Sequence, residues 1–494
     1  MLRKLGYNGC MQNTGTILPK KKTKIVATVG PSSANMDTLA QMIAAGMNIA
    51  RINFAHGDFD THRKAIQDVR KAAQSTGRRV AIFGDLPGPK IRIGRLIREP
   101  IQLQAGQEFL LHTRPILGDE SQASISLQKL PQVVHPGDSI FLNDGYIALQ
   151  VREVGEEHVR TEVISGGELR SHKGVNLPDI DLGIHAFTDF DRKALAFAAA
   201  MQLDGVSQSF VERAEDILMV REAARSMGYD PFIIAKIERS RALPELDAIL
   251  DAADALMVAR GDLGVEVPVE QVAVIQKEII LKANLKAKPV ITATQMLESM
   301  IHNPRPTRAE VADVTNAILD GTDAVMLSGE SAIGDYPVEA VAMMTRIAQQ
   351  AEAHMARLDF AQFLRLDEHL DKLSQDDRFA LNIQLITRTM EPRLVIVPSF
   401  SGNTARRVAR FRMRPWIIAG SHRETTCQRL LFSWGVYPQY LPEGRHWDDP
   451  RERQEAARNW CEAFGIRTGL VIIIEGAGTL KMHDTRRIDI VDLG

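Results

Sequence analysis

Charged side chains follow several short apolar runs in this sequence, at the point where each run ends. Glu238 closes the run FIIAKIE, and Asp262 follows the run LMVARG. Carboxylate oxygens are the hard ligands that Mg²⁺ or Mn²⁺ prefers. Arg51, Arg92 and Lys236 could together hold a phosphoryl group, with arginine acting as a two-pronged donor and lysine as a point charge. The residue types therefore predict metal-assisted chemistry on a phosphorylated substrate.

Backbone donors and further polar side chains extend this set. Four more runs end in polar residues, namely Asn53, Asp85, Thr294 and Ser328. The N–H groups of Gly261 and Asp262 could receive an anion such as a carboxylate. At this level two interpretations stay open. The residues form a phosphate-and-metal site, or Arg51 and Lys236 merely neutralise the carboxylates as ion pairs. Agreement among six run ends favours a shared site.

The apolar runs themselves predict the elements that position these side chains. They read as parallel strands buried on both faces, at Lys24–Val29, Ile49–Phe54, Val80–Asp85, Gly205–Phe210, Phe232–Ile237, Ala255–Ala259, Val290–Ala293 and Ala324–Leu327. Helical patterns separate most of them, for instance at Met36–Ala45, Phe59–Ala73, Glu212–Ser226, Val269–Ala287 and Thr307–Leu319. The alternation predicts a closed (β/α)₈ barrel, the TIM barrel, with every polar run end at its C-terminal rim.

Two further domains are predicted around the barrel. Between the third strand and Phe187 there is no helical pattern, and short Gly-punctuated runs of alternating polarity predict a small all-β domain inserted over the barrel mouth. After a polar stretch that begins at Arg357, the βα alternation resumes and predicts an open α/β domain. We therefore expect an arm at 1–22, a barrel at 23–87 and 187–354, a β-barrel lid at 88–186 and a C-terminal domain at 355–494.

Composition excludes several classes of function. The 60 Lys and Arg residues balance 62 Asp and Glu residues, so no basic field favours nucleic acid or an anionic membrane. The three cysteines, Cys10, Cys427 and Cys461, are too scattered for a disulfide framework or a C-x-x-C metal site. No apolar run is long enough to cross a membrane, and the N-terminus lacks the apolar core of a secretory signal. We expect a cytoplasmic enzyme.

The C-terminal domain carries one candidate binding segment. GxxxxGK[ST] and GxGxxG are both absent, so neither common nucleotide fingerprint is present. A hydroxyl-rich loop before a predicted helix resembles a phosphate cradle, and it comprises Ser399, Ser401, Gly402, Asn403 and Thr404. An ordinary helix N-cap explains the same composition equally well. His56 is a ligand or base candidate, although a lone histidine is more often structural.

At this point long motifs of the chain resemble one family, the pyruvate kinases. They are TKIVATVGPSS, GMNIARINFAHG, DLPGPKIRIG, KGVNLPDIDL, FIIAKIE, MVARGDLGVEVP, ITATQMLESM and RPTRAEVADVTNAILDGTDAVMLSGESAIGDYPVEAV. The resemblance covers Thr23 to Ala342 without a gap and continues more loosely beyond. It implies a barrel, a small β lid and a C-terminal regulatory domain, usually assembled as a homotetramer. It also implies transfer of the phosphoryl group of phosphoenolpyruvate to ADP in glycolysis, with Mg²⁺ or Mn²⁺ required.

The resemblance further implies a role for each matching residue. Arg51 and Lys236 would hold the transferring phosphoryl group, and Glu238 and Asp262 would bind the metal. The substrate carboxylate would be received by Gly261, Asp262 and Thr294. Thr294 would also help to deliver a proton to the enolate, through water. Contacts to the nucleotide would come from Asn53, His56, Arg92 and, on the lid, Lys173.

Some positions depart from the family pattern. Glu238 is followed by Arg239, Ser240, Arg241 and Ala242, where the family usually has an Asn-x-Glu-Gly type of sequence. The monovalent-cation pocket keeps Asn53 and Asp85, but it has Ala55 for the usual Ser, Leu86 for Thr and Lys90 for Glu. We expect Mg²⁺ dependence without a K⁺ requirement. The last domain is the least similar, so a phosphorylated-metabolite effector at 399–404 is a hypothesis.

Two other functions compete with this interpretation. A metal-dependent lyase or aldolase acting on pyruvate or phosphoenolpyruvate would also pair Glu238 with Asp262 around Mg²⁺ to stabilise an enolate. Such an enzyme would not need the inserted lid with Lys173 or a nucleotide contact at Arg92. A catalytically silent regulatory paralogue is disfavoured because Lys236 and Thr294 are both present.

Overall fold

The core of the molecule is a closed parallel barrel of eight strands, seen in a computed structural model. The structure describes residues 18–355, 364, 373–441, 450–476 and 486–494. The barrel strands are β1 Lys24–Thr28, β2 Ile49–Asn53, β3 Ala81–Leu86, β12 Gly205–Gln208, β13 Phe232–Ile237, β14 Ala255–Ala259, β15 Val290–Ala293 and β16 Ala324–Leu327. Their order around the barrel is β1-β16-β15-β14-β13-β12-β3-β2. The predicted barrel is confirmed.

Helices surround the barrel, and the longer ones bury apolar faces against it. They are α1 Met36–Ala45, α2 Phe59–Thr76, α4 Asp189–Ala200, α5 Ala214–Ser226, α6 Leu246–Ala252, α7 Arg260–Glu266, α8 Val272–Leu285, α9 Arg308–Leu319, α10 Gly329–Ala332 and α11 Pro337–Met355. The side chains of Asn35, Asp58, Thr188 and Thr307 cap four of these helices. The helix predicted at Val269–Ala287 differs in its start, because a 3₁₀ turn at Val269–Gln271 precedes α8.

The insert after β3 is a separate β domain with its own core. Its strands are β4 Ile101–Leu103, β5 Glu108–His112, β6 Gln122–Ser124, β7 Ser139–Leu142, β8 Ile147–Val154, β9 His158–Ser165, β10 Gly167–Leu169 and β11 Val175–Asn176. They pair as a six-stranded sheet and a two-stranded sheet. A one-turn helix, α3 Leu130–Val133, interrupts a segment for which no helix is predicted. We call this insert the lid, and its return segment to the barrel is 177–187.

The C-terminal domain is an open sheet covered by helices. Its strands are β17 Leu394–Pro398, β18 Trp416–Ser421, β19 Val436–Tyr440, β20 Leu470–Glu475 and β21 Arg487–Asp492, in the order β19-β18-β17-β20-β21. Only β21 runs antiparallel among these described strands. The helices are α12 Gln375–Met390, α13 Asn403–Ala409, α14 Glu424–Leu430 and α15 Pro450–Ala463. The predicted arm up to residue 17, and most of the polar stretch after Arg357, lie outside the described residues.

The C-terminal domain closes the N-terminal end of the barrel. Phe432 is fully buried within the cluster of residues that fills the barrel interior. Its ring stacks on Phe232 with centroids 4.8 Å apart and lies 6.2 Å from the ring of Phe83. The lid is inserted after β3 at the opposite rim, so the two accessory domains meet opposite ends of the barrel. In the part of the chain that the structure describes, no helix combines the length and apolar character needed to cross a membrane.

Candidate active site

Lys236 occupies the centre of the C-terminal rim. Its Nζ lies 2.6 Å from Oε1 of Glu238 and 3.6 Å from Oδ2 of Asp85, and it donates to Oγ of Ser209 at 2.8 Å. Burial alone would lower the pKa of this lysine, but the carboxylates of Asp85 and Glu238 raise it above its ordinary value. Lys236 is therefore a permanent cation, held in place on two sides, at the mouth of the barrel.

Asp85 ties Lys236 to Arg51. Nε of Arg51 donates to Oδ2 of Asp85 at 2.9 Å, and Ser207 donates its hydroxyl to the other carboxylate oxygen at 2.6 Å. Burial would raise the pKa of Asp85, yet Lys236 and Arg51 hold it at about 2. The carboxylate is therefore ionised at neutral pH. It fixes two cations side by side, as a phosphoryl group would require.

Glu238 and Asp262 are placed to hold a divalent metal. They follow β13 and β14, which are neighbours in the barrel. Burial raises the pKa of Glu238 to about 7, and desolvation also raises the pKa of Asp262. Asp144, at the tip of the lid, and Asp85 add to that rise at Asp262. The raised pKa values mean that negative charge on these two carboxyl groups is unfavourable, and a bound cation would stabilise it. These two oxygen donors therefore fit Mg²⁺ or Mn²⁺.

The described residues contain no group of three or more His, Cys, Asp and Glu side chains arranged to hold a metal. A site built from two carboxylates leaves most of an octahedron to other oxygens. Substrate oxygens and water would fill these positions, as in many phosphate-handling Mg²⁺ sites. The donor set therefore fits a metal that binds together with its substrate.

Thr294 sits in a strained turn beside Gly261. Its φ of +64° is rare for a β-branched residue and is followed by +52° at Gln295. Arg260 donates to the carbonyl of Thr294 at 2.8 Å and pairs with Asp313 at 2.7 Å, which holds the turn in place. The N–H of Gly261 donates to Oγ1 of Thr294 at 2.8 Å. A substrate carboxylate bound to this N–H would replace that contact.

A basic cluster lines the mouth next to Arg51. The pKa of His56 is lowered first by desolvation and then by Lys90, Arg92 and Arg51. On the lid, Arg92 donates to the carbonyl of His172 at 2.8 Å. The carbonyl of Lys173 accepts from Ile93 at 2.9 Å, so Arg92 and Lys173 lie on facing backbone segments. The structure thus places Arg92 near His56 and puts Lys173 on the lid segment that faces Arg92.

In the altered cation pocket, oxygen atoms already accept hydrogen bonds. Oδ1 of Asn53 accepts from the N–H of Ala55 at 3.1 Å, and the carbonyl of Leu86 accepts from the N–H of Ser209 at 3.2 Å. Lys90 is partly exposed, and its pKa is lowered first by partial desolvation and then by Arg92. Asp85 and Asp262 oppose this lowering of the pKa, whereas Lys236 adds to it.

Comparison with known proteins identifies the family. The family model for the barrel domain of pyruvate kinase matches residues 20–341, and the model for its alpha/beta domain matches 380–490. This chain belongs to the pyruvate kinase family. A pyruvate kinase from Thermococcus litoralis is 43% identical over 475 residues, covering 95% of this chain and 94% of that one. One from Geobacillus stearothermophilus is 42% identical and covers 92% of this chain and 76% of its own length.

The solved structures agree with this assignment. The crystal structure of a pyruvate kinase from Cryptosporidium parvum superposes with a TM-score of 0.88 at 34% identity. It covers 96% of this chain and 97% of that one. The match spans barrel, lid and C-terminal domain together, so the family resemblance noted in the motifs extends to the whole architecture.

The hydroxyl-rich loop at 399–404 lies away from the barrel mouth. It follows β17, next to β20, where the strand order of the C-terminal sheet reverses. The N–H of Gly402 donates to Oγ of Ser399 at 2.9 Å. Arg407 pairs with Asp377, away from the loop. Arg406 packs over the ring of Phe232 and also donates at 3.3 Å to the carbonyl of Ser401 and to Oδ1 of Asn403. The structure does not connect this loop to the active site through a direct contact within the described residues.

Three kinds of site residue were not predicted from the sequence. Ser207 and Ser209 orient the carboxylate and the ammonium, although their run reads only as a buried strand. Asp144, at the lid tip, is close enough to Asp262 to help raise its pKa. The Asn-Asp-Gly sequence there indicates a hairpin turn, but it does not indicate which part of the barrel the turn approaches. Arg239 was noted only as a departure from the family, yet it is one of the most buried side chains of the protein.

We expect Asp85→Asn to destabilise the protein by about 3–5 kcal/mol at neutral pH, because two buried cations lose their carboxylate. The pKa of Asp85 is depressed, so its stabilising effect is present above the unfolded pKa and is lost as the pH falls through about 2. The difference in unfolding free energy between wild type and variant should therefore shrink below pH 4, roughly the unfolded pKa. Urea unfolding at several pH values measures it.

Asp376→Asn is the matched control, because Asp376 pairs with Arg486 at the surface of the C-terminal domain at 2.6 Å. Such exposed pairs contribute about 1 kcal/mol or less. Equal destabilisation by both substitutions would contradict the role given to Asp85. The same loss of unfolding free energy in Asp85→Asn at about pH 2.5 as at about pH 7 would also contradict it.

Proposed function

We propose that this protein transfers the phosphoryl group of phosphoenolpyruvate to ADP, giving pyruvate and ATP, as a step of glycolysis. The observation that carries the proposal is the buried Lys236 ammonium. It lies between Glu238 and Asp85, on the rim that also presents Arg51 and Asp262. This combination of two cations and two metal-binding carboxylates suits a phosphoryl group that moves between two oxygens.

Arg51 and Lys236 bind the phosphoryl group in this proposal. A terminal oxygen of ADP attacks phosphorus while the bond from phosphorus to the enol oxygen breaks, and the bonding electrons stay on the enolate. Glu238 and Asp262 would hold Mg²⁺ or Mn²⁺, which supplies positive charge to the phosphoryl and enolate oxygens. Lys236 neutralises charge on the same oxygens without giving up a proton, consistent with its raised pKa.

The enolate must then gain a proton at carbon to become pyruvate. Thr294 stands beside the Gly261 N–H that would receive the substrate carboxylate, so its hydroxyl lies next to the bound enolate. We assign Thr294 to orient the water that delivers this proton. The turn that holds it is fixed by Arg260, so the hydroxyl stays aimed while the carboxylate displaces its contact with Gly261.

ADP would bind across the mouth, between barrel and lid. Asn53 ends β2 and His56 follows it, whereas Arg92 and Lys173 lie on the lid, so phosphate oxygens would meet neutral hydrogen-bonding groups on the barrel and positive charge on the lid. A lyase or aldolase would need no such basic cluster. Closure of the lid would exclude water from the phosphoryl group and prevent its hydrolysis. By the same family relationship, we propose a homotetramer.

We expect Lys236→Met to abolish ATP formation while the fold is retained. Loss of a charge that stabilises the transition state commonly costs about 10²–10³ in rate or more. A coupled assay with phosphoenolpyruvate, ADP and Mg²⁺ measures turnover, and thermal unfolding checks the fold.

Lys282→Met is the control for that experiment, because it removes an ion pair with Asp247 on the outside of the barrel. It should keep full turnover. Wild-type turnover in a folded Lys236→Met protein would contradict the role assigned to this lysine. No ATP formation by the wild type would contradict the proposed function as a whole.

We also propose that activity requires no K⁺. Lys90 stands on the turn beside the altered pocket, where Arg92 and Lys236 repel its ammonium and Asp85 and Asp262 attract it. Oδ1 of Asn53 and the carbonyl of Leu86, the residue that replaces the usual Thr, already accept hydrogen bonds from backbone N–H groups. A K⁺ ion about 4 Å from the ammonium would be repelled by about 4 kcal/mol at an effective dielectric constant of about 20. The tethered charge and the mobile ion are therefore alternatives.

Titration of KCl into a K⁺-free assay at constant ionic strength should leave the turnover unchanged. Lys90→Glu should acquire a K⁺ requirement, because it removes the tethered charge and adds a carboxylate. Lys64→Glu, an equal change of charge at an exposed position on α2, should not. A many-fold rise in wild-type turnover with K⁺ would overturn the proposal.

For the C-terminal domain we propose a phosphorylated effector, such as a sugar phosphate, at the loop 399–404. The loop stands where the strand order reverses, and ligands of open parallel sheets bind at such points. Arg407 pairs with Asp377, whereas Arg406 donates to the carbonyl of Ser401 and to Oδ1 of Asn403, so the loop hydroxyls, the backbone N–H groups and Arg406 would hold the phosphate. Ser401 is exposed on this loop, whereas Thr404 packs closely against Gly476.

We expect calorimetry with a panel of sugar phosphates and nucleotides to detect a ligand that also lowers the KM for phosphoenolpyruvate. Ser401→Glu should abolish that binding by placing a negative charge in the loop, and Ser226→Glu, at the exposed end of α5, should not. Absence of binding by the entire panel, or binding that Ser401→Glu leaves intact, would count against this site.

A further inference from the structure

Three consecutive residues that follow the metal ligand Glu238 hold the return segment of the lid. They are Arg239, Ser240 and Arg241, and all three contact residues of the segment 177–181. That segment joins the last lid strand, β11, to the barrel. Any movement of the lid over the mouth must bend this connection or the outgoing one after β3. We call the three residues the clasp.

Arg239 makes the central contacts of the clasp. Its side chain is only 2% exposed, and its Nη2 donates to the carbonyls of Leu177 at 3.2 Å and Ile180 at 2.9 Å. Its Nε forms ion pairs, without hydrogen bonds, at 3.2 Å from a carboxylate oxygen of Glu212 and 3.3 Å from one of Glu266. A guanidinium is planar and carries several N–H groups, so it can contact two carbonyls and two carboxylates at once.

The other two clasp residues repeat the pattern closer to solvent. The hydroxyl of Ser240 donates to Asp179 at 2.7 Å, and Arg241 donates to Asp181 at 3.0 Å. Asp179 has a φ of +59°, so the segment makes a tight, left-handed turn under the clasp. Leu177 and Ile180 point into the core of the lid. The clasp therefore binds the return segment from the barrel side, while the apolar side chains of that segment pack in the lid core.

Arg239 also connects this segment to both carboxylates of the metal site. It directly follows Glu238 in the chain. Its partner Glu266 lies at the end of α7, the short helix whose first turn contains Asp262. Glu266 is fully buried, and burial raises its pKa to about 7 although Arg239 opposes that rise. A shift of the guanidinium would therefore move the lid segment relative to the metal site.

Next to the clasp the return segment borders a cavity of about 840 Å³. Its walls include Arg241, Glu212, Phe210 and residues 181–186 of the return segment. One side of the segment is thus fixed by the clasp, and the part that follows has open space beside it. This is the arrangement expected of a hinge that bends about a fixed point.

We propose that Arg239 is a positioning residue, which fixes the hinge of the lid relative to the metal site and thereby sets where the lid closes. The proposal rests on the proposed function for its kinetic consequence, since the lid would bring Arg92 and Lys173 to ADP. Phosphoenolpyruvate would bind to barrel residues that the clasp does not move. Loosening the clasp therefore affects the nucleotide more than the other substrate.

The test is Arg239→Lys in the full-length enzyme. Lysine keeps the positive charge, but its single nitrogen cannot contact the two carbonyls held by Nη2 and the two carboxylates beside Nε at the same time. Hydrogen exchange at 177–182, followed by mass spectrometry without substrates, should become about tenfold faster or more, because charged hydrogen bonds that close the hinge are lost. The KM for ADP should rise about fivefold or more while kcat and the KM for phosphoenolpyruvate stay within about twofold, the pattern of lost binding alone.

Arg221→Lys is the matched control, because Arg221 likewise bonds a carbonyl, of Ala252, and a carboxylate, of Asp254, but at the outside of the barrel. It should leave both measurements unchanged. Asp181→Asn loosens the same hinge at a half-exposed position. It should speed hydrogen exchange at 177–182 and raise the KM for ADP, even if Arg239→Lys does not fold.

The exchange measurement does not depend on turnover, so a failure of the proposed function would leave it interpretable. Unchanged exchange at 177–182 together with an unchanged KM for ADP in Arg239→Lys would overturn the proposal. Equally large changes of exchange and of the KM for ADP in Arg221→Lys would also overturn it. If Arg239→Lys misfolds, wild-type exchange and a wild-type KM for ADP in Asp181→Asn would overturn the proposal.

Discussion

A cation buried among carboxylates at the mouth of a closed barrel is the interaction on which the site depends. Lys236 cannot leave this position without exposing Glu238 and Asp85 to each other, and Asp85 in turn fixes Arg51. Such a cluster is costly to bury unless every charge has a partner. The barrel supplies the partners because its parallel strands end on one rim, so residues far apart in the chain meet there.

The same rim explains how much could be predicted from the sequence. Strands buried on both faces read as apolar runs, and the polar residue that ends each run marks the rim, so the barrel and the grouping of Lys236, Glu238 and Asp262 could be predicted. The family motifs added roles that residue types alone left open. The ends of elements were harder to predict. Val269 reads as the first apolar residue of α8, but it is exposed in a 3₁₀ turn that precedes the helix.

Contacts between distant segments were not predictable. Arg239 donates to the carbonyls of Leu177 and Ile180, about 60 residues earlier in the chain. Because these acceptors are backbone groups, no residue type in the sequence predicts the contact. Asp144 reaches Asp262 because the lid folds over the mouth, which depends on the hinge and not on the local turn. Phe432 fills the opposite end of the barrel for the same kind of reason. Local patterns specify elements, whereas these contacts depend on how whole domains pack.

The central claim is that Glu238 and Asp262 together hold the divalent metal beside Lys236. Crystals grown with Mn²⁺ and phosphoenolpyruvate, measured at the manganese absorption edge, test it most directly. We predict one strong anomalous peak about 2.0–2.3 Å from a carboxylate oxygen of each residue, the range for hard oxygen ligands, with a substrate oxygen in the same coordination shell. A peak bound to neither carboxylate, or no peak with the substrate in place, would contradict this account.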